Sequence, residues 1–389
     1  MSLQDFDLAV IGAGIQGAGI AQAAAAAGYR VVILEREAEV AQATSSRSSK
    51  LIHGGLRYLE TAQLGLVREC LRERALLLRL APRLVRLRPF HIPIYAQTRR
   101  SPALIRTGLA VYAMLGGLDR GTRFRRLPAT DWEQLDGLDT ADLRAVFRYY
   151  DAQTDDAALT RAVIASAQQL GAELMTRREV TAVRLGTARQ ELQVRCDGQE
   201  QALSARAVVN ATGPWINRLL ERVYPPVPSV AVDLIAGTHL IVEGTLARGC
   251  YYVEAPQDGR AVFVLPWQGQ IMIGTTERPH RGDPDSLEPT AQETEYLLAT
   301  YRRYFPSRST RVVARFAGLR VLPAGAHSPF RRPRETRLAS DRSDRPRLVS
   351  VCGGKLTAYR LTAERVVRHL SPSLPSKTPC ADTRRLVLD

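Results

Sequence analysis

The sequence predicts an α/β (α+β) fold in which two domains share one chain, one around a parallel sheet and the other around an antiparallel sheet. A glycine-rich turn between two short apolar runs opens the chain, a pattern typical of strand, helix and parallel strand. Residues 227–320 instead contain short alternating runs separated by tight turns, which indicate an antiparallel sheet. Since 389 residues exceed one ordinary domain, we expect two intertwined domains.

The first of these elements is typical of a βαβ unit that binds a dinucleotide. The apolar run LAVI at residues 8–11 is followed by the string GAGIQG and by an alanine-rich helix that ends near Gly28. Gly12 permits a sharp turn out of the strand, Gly14 removes the side chain where a pyrophosphate approaches, and Gly17 lets the helix pack closely on the sheet. The N–H groups at the start of the helix then face the phosphates.

Glu35 ends the second apolar run, VVIL at residues 31–34. It lies about twenty residues beyond the glycines, where an acidic side chain hydrogen-bonds the adenosine ribose. A carboxylate at this point disfavours a 2′-phosphate and therefore NADP. The segment alone leaves NAD and FAD open.

A later strand favours FAD. Residues 207–209 are apolar and run into Asn-Ala-Thr-Gly at 210–213, which resembles the strand that returns to the first βαβ unit in two-dinucleotide flavoprotein folds. The resemblance places Ala211 and Gly213 beside FAD, and the alternative is an ordinary strand and turn. Residues 179–185 alternate as in a strand. In such folds this strand brings backbone groups, here those of Val180, to the adenine.

The composition of the chain limits the classes of partner that it is expected to bind. The chain carries 54 Lys and Arg against 39 Asp and Glu, for a net charge of +15, which attracts anionic partners such as lipid headgroups or a phosphate substrate. No alternation of basic and aromatic residues indicates a nucleic-acid surface, so we expect no nucleic-acid partner. The five cysteines lack the spacing of a metal site. We therefore expect no metal and a cytoplasmic location, since the first strand begins too early for a signal peptide.

Residues 107–118, TGLAVYAMLGGL, are the segment of the chain that comes closest to a membrane span. They are too few to span a membrane. A buried helix is one interpretation, and a surface helix that dips into a bilayer is the other. The second interpretation, together with the positive charge, would allow peripheral contact with an anionic membrane on its inner face.

The domain boundaries follow from these patterns. We expect a discontinuous dinucleotide domain at residues 1–90, 151–225 and 340–370, and a second domain at residues 91–150 and 226–339. Residues 371–389 are rich in Pro and Ser, which predicts a loosely ordered tail.

Eight segments occur in the order found in FAD-dependent glycerol-3-phosphate dehydrogenases, which the chain resembles from about residue 5 to 367. They are GAGIQGAG, TSSRSSKLIHGGLRYLE, VVNATGPWIN, AGTHLIV, VFVLPW, MIGTTE, FAGLRVL and VCGGKLTAYR. The resemblance implies a Rossmann-type FAD-binding domain with an antiparallel-sheet substrate domain, as in glutathione reductase and D-amino-acid oxidase. It also implies oxidation of sn-glycerol 3-phosphate to dihydroxyacetone phosphate by hydride transfer from C2 to flavin N5, with the electrons passed to a quinone or another acceptor.

Matching the family motifs to this sequence gives the expected FAD contacts. They are Gly12, Gly14, Gly17, Glu35, Thr44, Ser45, Ser46, Leu51, His53, Gly54, Gly55, Val180, Ala211, Gly213, Gly354, Leu356 and Thr357.

The substrate phosphate requires fixed cations, for which arginine offers a planar fork. The resemblance implies Arg320 and Lys355 in this role and as catalytic residues, with Arg57, Tyr58 and Thr276 nearby. A histidine has a suitable pKa for a general base, and His239 is the favoured one because it begins a strand that faces the expected cavity. A structural histidine is the alternative.

The chain departs from the family at its C-terminal end, since larger members carry a further helical domain after the GGKLT helix. Oligomeric state (monomer or homodimer), acceptor and exact substrate therefore stay open. One of Arg331, Arg332, Arg334 and Arg337 could also bind phosphate. Other readings are a dehydrogenase of another phosphorylated polyol, an oxidase or dehydrogenase of a 2-hydroxy acid or amino acid in which Arg320 binds a carboxylate, and a non-catalytic flavin-binding protein.

Overall fold

A computed structural model describes residues 4–119, 121–325 and 336–388. Two large sheets and seven α-helices occupy these ranges. Of the arginine-rich loop considered above, Arg331, Arg332 and Arg334 lie outside the described residues.

The first sheet has nine strands. They are β1 (Gln4–Ile11), β2 (Val31–Leu34), β7 (Glu173–Met175), β8 (Glu179–Leu185), β9 (Gln190–Cys196), β10 (Gln199–Asn210), β11 (Val223–Tyr224), β18 (Arg337–Ser340) and β19 (Leu348–Cys352).

Its centre is a parallel sheet in the order β7-β2-β1-β10-β19. Ile11 at the end of β1 is in register with Leu34 on one side and Asn210 on the other. The carboxyl ends of these strands therefore meet at one edge, which is where α/β folds place their ligands. The first half of β10 pairs instead with β9, in antiparallel orientation.

The second sheet has ten strands. They are β3 (Leu51–Ile52), β4 (Val85–Tyr95), β5 (Arg125–Arg126), β6 (Leu143–Thr154), β12 (Val232–Val242), β13 (Cys250–Glu254), β14 (Ala261–Trp267), β15 (Gln270–Gly274), β16 (Arg278–His280) and β17 (Val312–Pro323). All of its pairs are antiparallel except that of β4 with β13. The long strand β12 contacts β15, β16 and β17, so it anchors the wall that faces the first sheet.

The helices are α1 (Ile15–Ala26), α2 (Leu64–Leu80), α3 (Pro102–Leu115), α4 (Asp156–Gln169), α5 (Ile216–Leu220), α6 (Ala291–Tyr304) and α7 (Tyr359–Leu370). Helix α1 packs between α4 and α7 on one face of the first sheet. A Cβ atom at Gly17 would lie 1.9 Å from the carbonyl oxygen of Gly12. Only glycine lets α1 begin this close to the turn.

Helix α3 contains most of the apolar segment identified in the sequence. Ile105, Leu109 and Tyr112 are buried, whereas the side chains of Leu104 and Met114 are more than half exposed. The helix therefore packs on the protein with one face and exposes apolar side chains on the other. In the ranges given above, no helix is both long enough and apolar enough to cross a membrane.

The predicted fold class is confirmed, but two details of the domain organisation are wrong. The expected boundaries at residues 90 and 150 cut through β4 and β6, which pair with each other in the second sheet, and β3 also belongs to that sheet. The tail after residue 370 is packed, since Leu374 and Leu388 are buried. The N–H of Leu388 donates to the carbonyl of Leu80, which ties the tail to α2.

Candidate functional site

A cavity of about 630 Å³ lies between the two sheets. The carboxyl ends of β1, β2, β10 and β19 form one side, and β12 and β17 form the other. Most of the predicted site residues line it, namely Gly12, Gly14, Glu35, Thr44, Ser45, Leu51, His53, Tyr58, Val180, Ala211, Gly213, His239, Arg320, Gly354, Lys355, Leu356 and Thr357. The structure thus brings together residues that are more than 300 positions apart in the chain.

Six predicted residues do not line the cavity, namely Gly17, Ser46, Gly54, Gly55, Arg57 and Thr276. Gly17 supports the turn from behind, against Gly12. The hydroxyl of Ser46 donates to the carbonyl of Ala43, at 3.0 Å. Both residues therefore shape the lining without forming part of it.

Gly54 and Gly55 each have a structural role in the turn that precedes Tyr58. The N–H of Gly54 donates to the hydroxyl of Tyr112, at 2.8 Å. Gly55 has a φ of 81°, and a Cβ atom there would lie 2.3 Å from the ring of Tyr58. These glycines allow the chain to turn sharply so that Tyr58 reaches the cavity.

Glu35 braces the glycine turn at the dinucleotide end. Its carboxylate accepts the N–H of Ala13 at 2.7 Å and that of Glu37 at 3.0 Å. The N–H of Ile15, in the first turn of α1, donates to the hydroxyl of Ser45 at 2.9 Å. The βαβ unit and the serine run are therefore joined by hydrogen bonds at the start of the helix.

The serine run is held in place by a buried ion pair that was not predicted from the sequence. The ammonium of Lys50 lies 2.5 Å from the carboxylate of Asp156, and both side chains are buried. The same carboxylate accepts the N–H and hydroxyl of Ser48. Since removing one partner of a buried pair is strongly destabilising, this contact fixes an otherwise irregular segment. The two residues are 106 positions apart, and no local pattern links them.

His239 lies within β12 rather than at its start, because the strand begins at Val232. Its ring stacks on Phe316 with 5.0 Å between the ring centres. Its Nε2 is 2.9 Å from the hydroxyl of Ser49, and its Nδ1 has no hydrogen-bond partner in the described part of the chain. A Cβ atom at Gly274 would lie 2.1 Å from the ring, so glycine makes room for the imidazole.

The environment of His239 holds it neutral. Burial, with Arg320 and Lys50 nearby, lowers the pKa of His239 to about 3. A neutral imidazole can accept a proton at physiological pH. An anion bound beside Arg320 would offset that positive charge and raise the pKa.

The segment 274–277 connects β12, β17 and α6. The hydroxyl of Thr275 accepts Nη2 of Arg320 at 2.9 Å. Thr276 is buried; its hydroxyl accepts the N–H of Thr238 and donates to the carboxylate of Glu293, at 2.7 Å. Thr276 is therefore engaged behind the cavity wall, and its neighbour Thr275 contacts the cavity arginine.

Glu277 gathers three arginines. Its carboxylate lies 3.0 Å from Arg320, 3.3 Å from Arg260 and 3.6 Å from Arg57. The side chain of Glu277 is only 5% exposed. Neither Glu277 nor Arg260 was predicted from the sequence, although Glu277 ends the motif MIGTTE.

Lys355 follows two glycines of positive φ, Gly353 and Gly354. A Cβ atom at Gly354 would lie 2.7 Å from the side-chain nitrogen of Gln16. The ammonium of Lys355 lies 3.7 Å from the ring centre of Tyr58, within the range of a cation–π contact. The loop thus brings a cation and a phenol to the same part of the cavity.

A set of ion pairs on the cavity lining, here called the clasp, joins residues that are far apart in the chain. Asp285 accepts Arg36 at 2.6 Å and Arg218 at 2.8 Å. The guanidinium of Arg36 also lies 4.1 Å from the ring centre of Trp215. All four residues line the cavity. The clasp joins the loop after β2 and helix α5 to the short turn Pro284–Ser286.

The dinucleotide end fits the FAD that the family resemblance implies. Gly14 lines the cavity, and a Cβ atom there would lie 3.0 Å from the hydroxyl of Ser45, so glycine keeps the start of α1 open to the cavity, as a pyrophosphate requires. The side-chain oxygen of Gln16 is buried on the same lining without a hydrogen-bond partner among the described residues. In the same part of the chain, no group of three His, Cys, Asp or Glu residues could hold a metal ion.

Acid is expected to destabilise the protein through two buried histidines. Burial lowers the pKa of His91 to about 4, and His239 has a pKa of about 3. The unfolded chain protonates each near pH 6.5, whereas the folded chain does not, so stability is full above that pH and falls below it. Each histidine should cost about 2 kcal/mol between pH 7 and pH 5.

Urea unfolding at pH 7 and pH 5 measures this loss. His91→Gln and His239→Asn should each show a smaller loss than the wild type, and His280→Asn serves as the control because its ring is only partly buried. Equal pH dependence in all four proteins would contradict the expectation.

Comparison with known proteins places the chain in a family. The family described as "FAD dependent oxidoreductase" matches residues 7–365. The chain is 38% identical over 381 residues to the glycerol-3-phosphate dehydrogenase of Pseudomonas aeruginosa, covering 96% of this chain and 73% of that one. It is 36% identical over 378 residues to the D-erythritol 1-phosphate dehydrogenase of Brucella abortus, covering 95% and 74%.

The fold also matches solved structures. The crystal structure of the glycerol-3-phosphate dehydrogenase from Bacillus halodurans complexed with FAD has a TM-score of 0.77 and 28% identity, covering 100% of this chain and 68% of that one. This chain belongs to the FAD-dependent oxidoreductase family and, within it, to the group that contains the glycerol-3-phosphate dehydrogenases.

Proposed function

We propose that this protein oxidises sn-glycerol 3-phosphate to dihydroxyacetone phosphate with FAD as the oxidant. One observation carries the proposal: a single cavity has a dinucleotide turn with Glu35 at one end, and His239, Arg320 and Lys355 on the same lining. The relatives named above support the substrate, since two of them are glycerol-3-phosphate dehydrogenases.

The cofactor contacts are proposed from the lining. The turn from Gly12 to Gly14 would take the pyrophosphate at the start of α1, and Glu35 would take the ribose hydroxyls. Val180, which lines the cavity beside the loop after β2, would face the adenine. When bound, FAD supplies an acceptor for the hydride that leaves C2 of the substrate.

Arg320 and Lys355 would hold the phosphate. A guanidinium presents paired N–H donors that match phosphate oxygens, and Arg320 is 21% exposed on the cavity lining. Lys355 adds a second cation on a loop with two glycines, which lets its backbone approach the cofactor. Arg57 and Arg320 both pair with Glu277, so Arg57 would add positive charge from behind the lining.

His239 would act as the general base. In the proposed reaction the C2 hydroxyl gives its proton to the imidazole, and the hydrogen on C2 leaves with its electron pair. Burial keeps the ring of His239 unprotonated when the substrate arrives. The substrate phosphate beside Arg320 would offset the nearby positive charge and raise the pKa towards the range that suits a general base. Ser49, within hydrogen-bond distance of Nε2, would orient the ring.

A second candidate is oxidation of another phosphorylated polyol. It is supported by the D-erythritol 1-phosphate dehydrogenase of Brucella abortus, which is 36% identical to this chain. Both candidates use the same cation site, and they differ in how much polyol the cavity accepts.

Anaerobic flavin reduction separates the candidates. Glycerol 3-phosphate should bleach the flavin absorbance of the purified holoprotein, and glycerol should not do so at the same concentration. Faster bleaching by erythritol 1-phosphate would favour the second candidate. Bleaching only by 2-hydroxy acids or amino acids would contradict both.

We also propose that the electrons pass to a quinone or another acceptor, and that a monomer or homodimer works in the cytoplasm with peripheral contact to an anionic membrane. The membrane contact is supported by the outer face of α3, where Leu104 is 56% and Met114 is 62% exposed. It is also supported by the net charge of +15. We expect the protein to co-sediment with anionic vesicles but not with neutral ones. Sedimentation with neither kind of vesicle would contradict the membrane contact.

Opening the clasp is expected to release FAD faster. Asp285→Asn removes the carboxylate that joins Arg36 to Arg218. Because these ion pairs are partly exposed, we expect the dissociation rate to rise about fivefold, equivalent to about 1 kcal/mol. The rise in flavin fluorescence after dilution measures it.

The exposed carboxylate of Asp258, which accepts Tyr296 outside the cavity, gives the matched control Asp258→Asn. Salt should speed release from the wild type and from this control more than from Asp285→Asn. An unchanged rate in Asp285→Asn would show that the clasp does not retain the cofactor.

A further inference from the structure

One carboxylate holds three guanidinium groups together beside the cavity. We call Arg57, Arg260 and Arg320 the arginine cluster, and Glu277 is the acid that each of them contacts. The three arginine side chains are between 18% and 21% exposed, whereas Glu277 is 5% exposed. The acid therefore lies inside and the cations lie around it.

The three arginines come from separate parts of the fold. Arg57 lies in the short helical turn Leu56–Thr61, Arg260 directly precedes β14, and Arg320 is in β17. Partly buried guanidinium groups repel one another and would otherwise turn towards water. Among the described contacts, Glu277 is the group they share, so it supplies the attraction that gathers them.

The position of Arg320 is fixed on two sides. Its Nη1 donates to Glu277 at 3.0 Å and its Nη2 to Thr275 at 2.9 Å. A Cβ atom at Gly237 would lie 2.5 Å from Nη2. Glycine at this position of β12 therefore leaves space for the guanidinium. A planar group held at both nitrogens is prepared for bidentate contact with an oxyanion.

We propose that Glu277 is a positioning residue that assembles the arginine cluster for the substrate phosphate before the substrate binds. The inference rests on the proposed function, because it takes the phosphate as the anion that Arg320 binds, with Arg57 and Arg260 behind the lining. Holding the side chains in place beforehand removes an ordering cost that binding would otherwise carry. Glu277 acts through the arginines and does not itself contact the substrate.

The variant Glu277→Gln tests the proposal because it keeps the size of the side chain and removes its charge. We expect the Kd for inorganic phosphate and the KM for glycerol 3-phosphate both to rise about tenfold, the effect of weakening one charge-assisted hydrogen bond. The value of kcat should stay within about twofold, since His239 and the cofactor end are unchanged. The shift of the thermal unfolding midpoint on addition of inorganic phosphate gives its Kd without turnover. Competition of inorganic phosphate with glycerol 3-phosphate gives a second value during turnover.

Two further variants complete the experiment. Glu277→Asp keeps the charge on a shorter arm and should recover most of the phosphate affinity, and it also serves if Glu277→Gln does not fold. Glu295→Gln removes an exposed carboxylate that pairs with Arg302 on α6 and should change neither constant.

The outcomes separate this inference from the proposed function. Tighter phosphate binding by Glu277→Gln would mean that the carboxylate competes with phosphate, and unchanged binding would mean that it does not position the cluster. Either result overturns the inference. A wild-type protein that binds neither inorganic phosphate nor glycerol 3-phosphate would instead contradict the proposed function.

Discussion

Replacing His239 with asparagine is expected to lower kcat for glycerol 3-phosphate by about 10²–10⁴-fold, the usual contribution of a general base. The ring is buried, lies on the cavity lining and is unprotonated at neutral pH. Asparagine fits the space beside Gly274 but cannot take up a proton. The rate of anaerobic flavin reduction, measured by stopped flow, reports the loss directly.

The variant must keep its cofactor for the result to bear on catalysis. His239 is in β12, away from the glycine turn, so the flavin spectrum and FAD affinity of His239→Asn should match those of the wild type. Ser49→Ala should cost far less, since it leaves the base in place and removes only the hydroxyl beside Nε2. A fall in kcat below about fivefold in His239→Asn would instead identify a structural histidine.

The dinucleotide end was predictable because its determinants are local. Glycine at three fixed spacings, an apolar run on each side and an acid at the end of the second run require only backbone geometry and strand burial. The pairing of Leu34 with Ile11 follows from this pattern. The strand that ends at Asn210, on the other side of Ile11, was expected there from the family resemblance. Helix α2 (Leu64–Leu80) depends on local pattern in the same way, because its buried Val67, Leu71 and Leu77 recur with helical spacing.

The substrate end was only partly predictable because charge pairing across the fold has no local pattern. Arg320 and His239 were found through family motifs, yet the burial that lowers the pKa of His239 depends on Phe316 and on a strand far away in sequence. The link from Arg320 to Glu277 spans 43 positions. In a chain with 54 Lys and Arg, composition cannot distinguish such a pair from a solvated one.

The tail shows a different limit. Its Pro and Ser content predicts disorder on average, but a few apolar residues decide the outcome. Leu374 and Leu388 are buried against the core around α1, and the N–H of Cys380 donates to the carbonyl of Ala26 at 2.8 Å. Such contacts depend on the surface that the rest of the chain offers.

Replacing Arg320 with leucine is expected to raise the KM for glycerol 3-phosphate by about 10²–10³-fold, the cost of losing a bidentate charged contact in a partly buried site. Arg320→Lys keeps the charge but loses the planar fork and should cost about tenfold. Arg315, exposed on the same strand, gives the control Arg315→Leu, whose KM should not change. Steady-state kinetics with each variant measure these effects.

Two observations would separate phosphate recognition from a general defect. Glycerol lacks the phosphate that Arg320 is proposed to bind. Its slow oxidation, measured at high glycerol concentration, should therefore be equal in the wild type and in Arg320→Leu. An equal loss with both substrates, or a KM rise below threefold, would contradict the assignment. Arg320 also helps to hold the pKa of His239 low. Arg320→Leu should therefore raise that pKa and move the acid limb of the kcat/KM profile to higher pH, because that profile reports the base of the free enzyme.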